Sequence, residues 1–109
     1  MSAGRGELQQ VLKMCQSAIL AAKEQHYLAG TSHLFGVTAM ALTRVNDVDT
    51  AARLLGAMVA NGHMPRPNVM RFVGKQLGER MEARMSTGAY LNISDAADIA
   101  LERLQQHIE

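Results

Sequence analysis

The stretch Thr50-Ala51-Ala52-Arg53-Leu54-Leu55-Gly56-Ala57-Met58-Val59-Ala60-Asn61-Gly62, with Pro65-Arg66-Pro67 close behind it, decides the fold class. Ala, Leu and Met are strong helix formers, and Arg53 is the only charge in the run. A helix apolar on almost every side belongs inside a protein rather than on its surface. The spacing predicts this helix over about 50–61. Gly62 stands where a left-handed residue would end it. The two prolines forbid its continuation, and Pro67 suits the first turn of a following helix.

Reading outward from there, Asn46-Asp47-Val48-Asp49 is a turn whose acidic residues suit a helix N-terminus. Before it, Leu34, Phe35, Val37, Met40, Ala41 and Leu42 mark an uncharged helix over about 32–43, opened by Thr31 or Ser32 as cap. Like the 50–61 helix, it is expected at the centre. The first helix, about 7–26, carries Leu8, Val11, Leu12, Cys15, Ala18, Ile19 and Ala22 at three- and four-residue spacing, which makes one apolar stripe. A fourth helix over about 68–85 places Val69, Met70, Phe72, Val73, Leu77 and Met81 inward. The fifth, about 95–107, has Ser94 as cap and an acidic first turn. The only extended candidate is the short connector Ala89-Tyr90-Leu91-Asn92-Ile93. The expected architecture is one all-α domain, residues 1–109, a five-helix bundle with partly orthogonal packing.

Composition narrows the class of function. The 109 residues are 48% apolar and 19% charged, with no Trp, two Tyr, two Phe and eight Met, which disfavours a β-sandwich. Net charge is +1, so no global field selects nucleic acid or a membrane surface. A lone cysteine, Cys15, excludes an internal disulfide. No apolar run approaches the roughly 20 residues of a membrane span, and the start of the chain lacks the apolar core of a signal peptide. A cytoplasmic protein is expected.

Catalytic chemistry finds no foothold in the motifs. His26, His33, His63 and His107 fall at helix ends or in loops, with no partner at metal-ligand spacing, so surface or capping roles are expected and no metal or cofactor is. Cys15 lies within an apolar stripe, where a thiol acts as a small hydrophobe rather than a nucleophile. Asp47-Val48-Asp49 lacks the glycine and closing Glu of a calcium loop. No Gly-x-Ser-x-Gly, His-Glu-x-x-His or phosphate-cradling loop occurs. The protein is expected not to be an enzyme.

Charge and methionine are the remaining signals. Arg66, Arg71, Lys75, Arg80 and Arg84 against Glu79 and Glu82 leave residues 61–88 at net +3, while residues 89–109 carry net −3. A solvated face, or docking of the basic helix on the acidic one, is preferred to nucleic-acid binding through helix 68–85, since no aromatic residues interleave the cations. Met14, Met40, Met58, Met70 and Met81 sit on apolar stripes as core fillers, whereas Met64 and Met85 at helix ends suit an adaptable binding surface. Gly74 and Gly78 at GxxxG spacing point to a tight helix crossing.

Ala18-Ile19-Leu20-Ala21-Ala22-Lys23, Gly30-Thr31-Ser32-His33-Leu34-Phe35-Gly36-Val37, Ala51-Ala52-Arg53-Leu54-Leu55 and Pro67-Asn68-Val69-Met70-Arg71-Phe72-Val73 together resemble one repeat of the Clp ATPase N-terminal domain. Ile93–Leu101 resembles the opening helix of a second repeat. The chain departs from the pattern at Ser32, where that family usually has Glu, and no ATPase module accompanies the repeat. The resemblance implies a protein-binding module that recognises adaptors or substrate proteins. From it and the helical reading together, a non-enzymatic, adaptor- or chaperone-like module is expected, seating a partner's segment in an apolar groove. His33, Phe35, Met64, Arg66 and Arg71 are the candidate partner-binding residues. A small secretion chaperone in a helical hetero-oligomer is the first alternative, and helix five could also be exchanged between two copies in a homodimer.

Overall fold

The computed structural model describes the backbone of residues 3–25 and 32–108 and the side chains of residues 6–25 and 34–108. Among these residues every regular element is helical: α1 (Ala3–Glu24), α2 (Ser32–Arg44), α3 (Val48–Ala60), α4 (Pro67–Leu77), a 3₁₀ turn (Gly78–Arg80), α5 (Met81–Ser86) and α6 (Ile93–His107). The break anticipated at Tyr27–Gly30, the Thr31 or Ser32 cap, and the side chains of His26 and His33 lie outside the described residues.

Helix α3 is the hub, meeting α2, α4, α5 and α6, while α2 also packs on α1 and α4. Its residues Thr50, Ala51, Ala52 and Leu54 to Met58 are all buried, as expected for a run apolar on every side. Phe35, Leu42 and Thr38 of α2 and Leu12, Cys15 and Ile19 of α1 close the core around it. Each large apolar side chain so buried contributes about 1.5–3 kcal/mol. The hydroxyls of Thr38 and Thr43 donate to the carbonyls of Leu34 and Ala39, both at 2.8 Å, so the buried helix carries no unsatisfied side chain there.

The end of α3 follows its sequence closely. Gly62 has φ +85°, its N–H donates to Val59 O at 3.1 Å, and the His63 N–H reaches Met58 O at 2.8 Å. These are the two bonds of a Schellman cap. Pro67 is the first residue of α4, and Arg66 before it is extended, as a residue preceding proline prefers.

Five expectations are corrected. The fourth helix is not continuous over 68–85: it stops at Leu77, and Gly78, with φ +55°, turns the chain through a 3₁₀ segment into α5. Gly74 and Gly78 do not mark a tight crossing, because a Cβ at either would have no neighbour within 4 Å. The close approach lies elsewhere. A Cβ on Gly56 would collide with the backbone of Met85, and one on Gly88 with the backbone of Arg53, so α3 and the end of α5 lie backbone against backbone. Helix α6 begins at Ile93 and is capped by Asn92, whose side chain accepts the Asp95 N–H at 2.7 Å, rather than by Ser94. Finally, Met14 is 70% exposed and fills no core gap, and Ala18 on the expected stripe is exposed as well.

Candidate functional site

Charge draws α6 to α1 and α3, not to the basic helix. Lys23 of α1 pairs with Asp98 of α6, and Arg84 of α5 pairs with Asp49 of α3 at 3.2 Å. The main polar cluster joins the α2–α3 turn to the last turns of α6. Asp47, only 8% exposed, accepts from Thr50 Oγ1 at 2.8 Å on one oxygen. Its other oxygen meets Arg103 Nε at 2.8 Å and His107 Nε2 at 3.0 Å. Burial pushes the Asp47 carboxyl up, but the bonds from Arg103, His107 and Thr50 and the Arg103 charge outweigh it and hold the group below the ordinary carboxylate range. Asp47 therefore occupies the N-cap position of α3 without capping it, and His107 holds two elements together rather than standing on the surface.

Cys15 is 2% exposed, and burial pushes its thiol up, with the Thr38 hydrogen bond a smaller opposing effect. The thiolate is disfavoured, so the residue packs as a hydrophobe.

The open part of the molecule lies on the other side of α2. Helices α1 and α4 both pack on α2, and a cavity of about 370 Å³ lies between them, lined by Val11, Val37, Met40, Ala41, Arg44 and Phe72. Val37 and Met40 also line a second cavity of about 280 Å³, which continues toward Met58, Met64, Pro65, Arg66 and Val69. A third hollow of about 230 Å³ runs along the stripe of α4 formed by Asn68, Arg71, Phe72 and Lys75, and Phe72 also lines the space between α1 and α4. Shared lining residues place the three spaces side by side. The result is a groove with α2 as floor, α1 and α4 as walls, and an opening at the 62–66 turn.

The floor is apolar and the rim is cationic. Arg44, Arg66, Arg71 and Lys75 stand along the groove, and among the described residues no carboxylate lines any of its three spaces. Among the described residues these four cations take part in no salt bridge, whereas Lys23, Arg84 and Arg103 are paired.

Of the residues singled out from sequence, Met64, Arg66 and Arg71 line this groove. Phe35 does not, being fully buried as the largest core side chain, and the side chain of His33 lies outside the described residues. Val11, Val37, Met40, Arg44, Phe72 and Lys75 were not among the partner-binding candidates, although Lys75 stood in the basic helix and Met40 was expected as a core filler. The first three and Phe72 were legible as apolar stripe residues, but periodicity marks the face of a helix and not the gap between two of them.

No protein-family model, curated protein or solved structure matches the chain. Among the described residues no helix is long and apolar enough to cross a membrane.

Proposed function

We propose that the protein is a non-enzymatic, adaptor- or chaperone-like protein-binding module that seats a segment of a partner protein in the groove over α2. The observation that carries the reading is the clustering of three adjoining spaces, which share Val37, Met40, Asn68 and Phe72 as lining. A cleft that joins apolar walls to a few polar groups is the usual form of a recognition site. Met40 and Met64 along it are side chains that repack around different partners. The resemblance of the same helices to a Clp N-terminal repeat implies the same class of activity.

The test is selection of a random peptide display library on the intact chain, repeated on Met40→Glu. Met40 is only partly buried, so the variant keeps its fold, which its thermal midpoint checks. Enriched peptides should bind the wild type at least about tenfold more tightly than the variant, since a charge on an apolar floor costs on the order of 1.4 kcal/mol or more. Peptides that bind both proteins equally, or no enrichment at all, would remove the groove as the functional surface.

A further inference from the structure

We infer that the segment seated in the groove is a short amphipathic helix carrying acidic residues on both flanks of its apolar face. This inference rests on the reading of the groove as a protein-binding site and adds the chemistry of the occupant.

The shape supplies the first half of the argument. Helices α1 and α4 pack on the same helix, α2, with the 370 Å³ space between them. A slot between two helices on a third that none of the described residues fills suits a further helix, with its apolar stripe down onto Val37 and Met40. Helix α4 has 11 residues, so the wall it offers is roughly 16 Å long. That length matches three helical turns, enough for apolar anchors at i, i+3 or i+4, and i+7.

Charge supplies the second half. Arg44 stands by the α1–α4 space, Arg66 by the opening, and Arg71 and Lys75 along α4. The protein as a whole is nearly neutral at +1, yet this rim holds four cations, no carboxylate lines it, and none of the four is ion-paired among the described residues. Elsewhere on the molecule Lys23, Arg84 and Arg103 find carboxylates within the chain while, among the described residues, Lys13, Arg53 and Arg80 do not, so it is the gathering of four cations around one apolar space that marks the groove. Rim charges set partner choice and encounter rate, and a one-signed rim excludes partners of its own sign. A phosphate backbone would satisfy the cations but leave Val11, Val37, Met40 and Phe72 uncovered, so a polypeptide with both apolar and acidic groups fits better.

A helix-biased peptide library tests this directly. Each peptide, about 18 residues long, keeps Leu, Ile or Met at the anchor positions, while its flanking positions are randomised over Asp, Glu, Lys, Arg, Ser and Gln. It is panned on the intact chain, and the flank composition is read in clones that fail to bind Met40→Glu. Acidic flanks should outnumber basic ones about fivefold or more, and the preference should fall as salt rises. The triple variant Arg44→Glu, Arg71→Glu, Lys75→Glu, with its thermal midpoint checked, should reverse the skew. Groove-dependent clones with no charge skew, or with basic flanks, would overturn the acidic occupant and leave the groove reading standing. No groove-dependent clones at all would overturn both. An oligothymidylate that competes with the best acidic clone and binds Met40→Glu as well as wild type would reassign the rim to nucleic acid.

Discussion

The two sides of the central helix pair are built from the same small vocabulary of Gly, Ala, Val and Met, and they are packed in opposite ways. On the α3–α5 side, Gly56 and Gly88 let two backbones touch and a single methyl group has no room, although a hollow of about 230 Å³ lies beside the seam against Gly56, Val59, Ala60 and Met85. On the α2–α4 side, a methyl on Gly36 would meet Val69 at an ordinary 3.6 Å, and cavities of about 280 and 370 Å³ stay open beside it. A glycine is therefore no guide to tight packing until its neighbour is known. The seam and the Asp47 cluster tie α5 and α6 to the core, while the α2–α4 side keeps the larger spaces.

The sharpest way to break this contrast is Gly56→Ala. Its new methyl meets main chain rather than a flexible side-chain end, so relief requires α5 to move. The cost should be about 3 kcal/mol, a fall in thermal midpoint on the order of 15 °C for a chain of this length. Gly88→Ala should behave alike. A loss of only a degree or two in calorimetry would show that the seam is as yielding as the groove.

Asp47→Asn comes next and tests the polar cluster that ties α6 to the α2–α3 turn. Replacing the carboxylate removes the charge that Arg103 and His107 face, at a cost of about 1–3 kcal/mol at neutral pH by urea unfolding. The sign of its pH dependence follows from the depressed carboxyl. A folded value below the ordinary 3.8 means that the stabilisation is complete above the unfolded value and is lost as pH falls through the folded one. The gap between wild type and variant should thus be widest near neutrality and close below about pH 3.8. A gap independent of pH would mean that the carboxylate charge contributes nothing to holding α6.

The smallest effects belong to the open side. Gly74→Ala, in a helix interior with nothing within 4 Å of the new methyl, should stabilise by roughly 0.5–1 kcal/mol. Gly36→Ala should gain a similar or slightly smaller amount, given its ordinary contact with Val69. If Gly36→Ala instead lowered the midpoint as far as Gly56→Ala, the supposed difference between the two sides would be gone.

Much of the fold was legible because its signals are local. The Gly62 terminus, Pro67 at the start of α4, the buried α2 and α3 and the inert Cys15 all follow from residues within a few positions of one another. The failures share one cause. Gly74 and Gly78 have GxxxG spacing, and Ser94 is a good cap in isolation, but each outcome was set by what lies across the structure or by a competing neighbour such as Asn92. Met14 sits one residue from Cys15, and only the packing of α1 against α2 and α6 fixes which flank of a broad stripe is covered.

For the candidate site the division is similar. Met64, Arg66 and Arg71 stood out by their position around a proline-bounded turn, and they do line the groove. Phe35 stood out for the same kind of reason and is wholly internal. An aromatic residue near a helix start has no signature of its own that separates anchor from core. The groove itself is a property of three helices at once, and its cationic rim draws Arg44 from one element and Arg71 and Lys75 from another.

The sequence by itself determined the helical class, the placement of most helices and the buried character of the central pair. Periodicity, propensity and capping act over one or two turns of chain, and here they agree with one another. Only the tertiary structure decided which glycines touch backbone, where α6 docks, which carboxylate becomes the hub, and which apolar side chains face a space instead of a neighbour. Each of these depends on the distance between segments far apart in the chain, Asp47 from Arg103 and Gly56 from Met85. That distance is set when all the apolar faces compete at once for a single interior, and no short stretch of residues carries it.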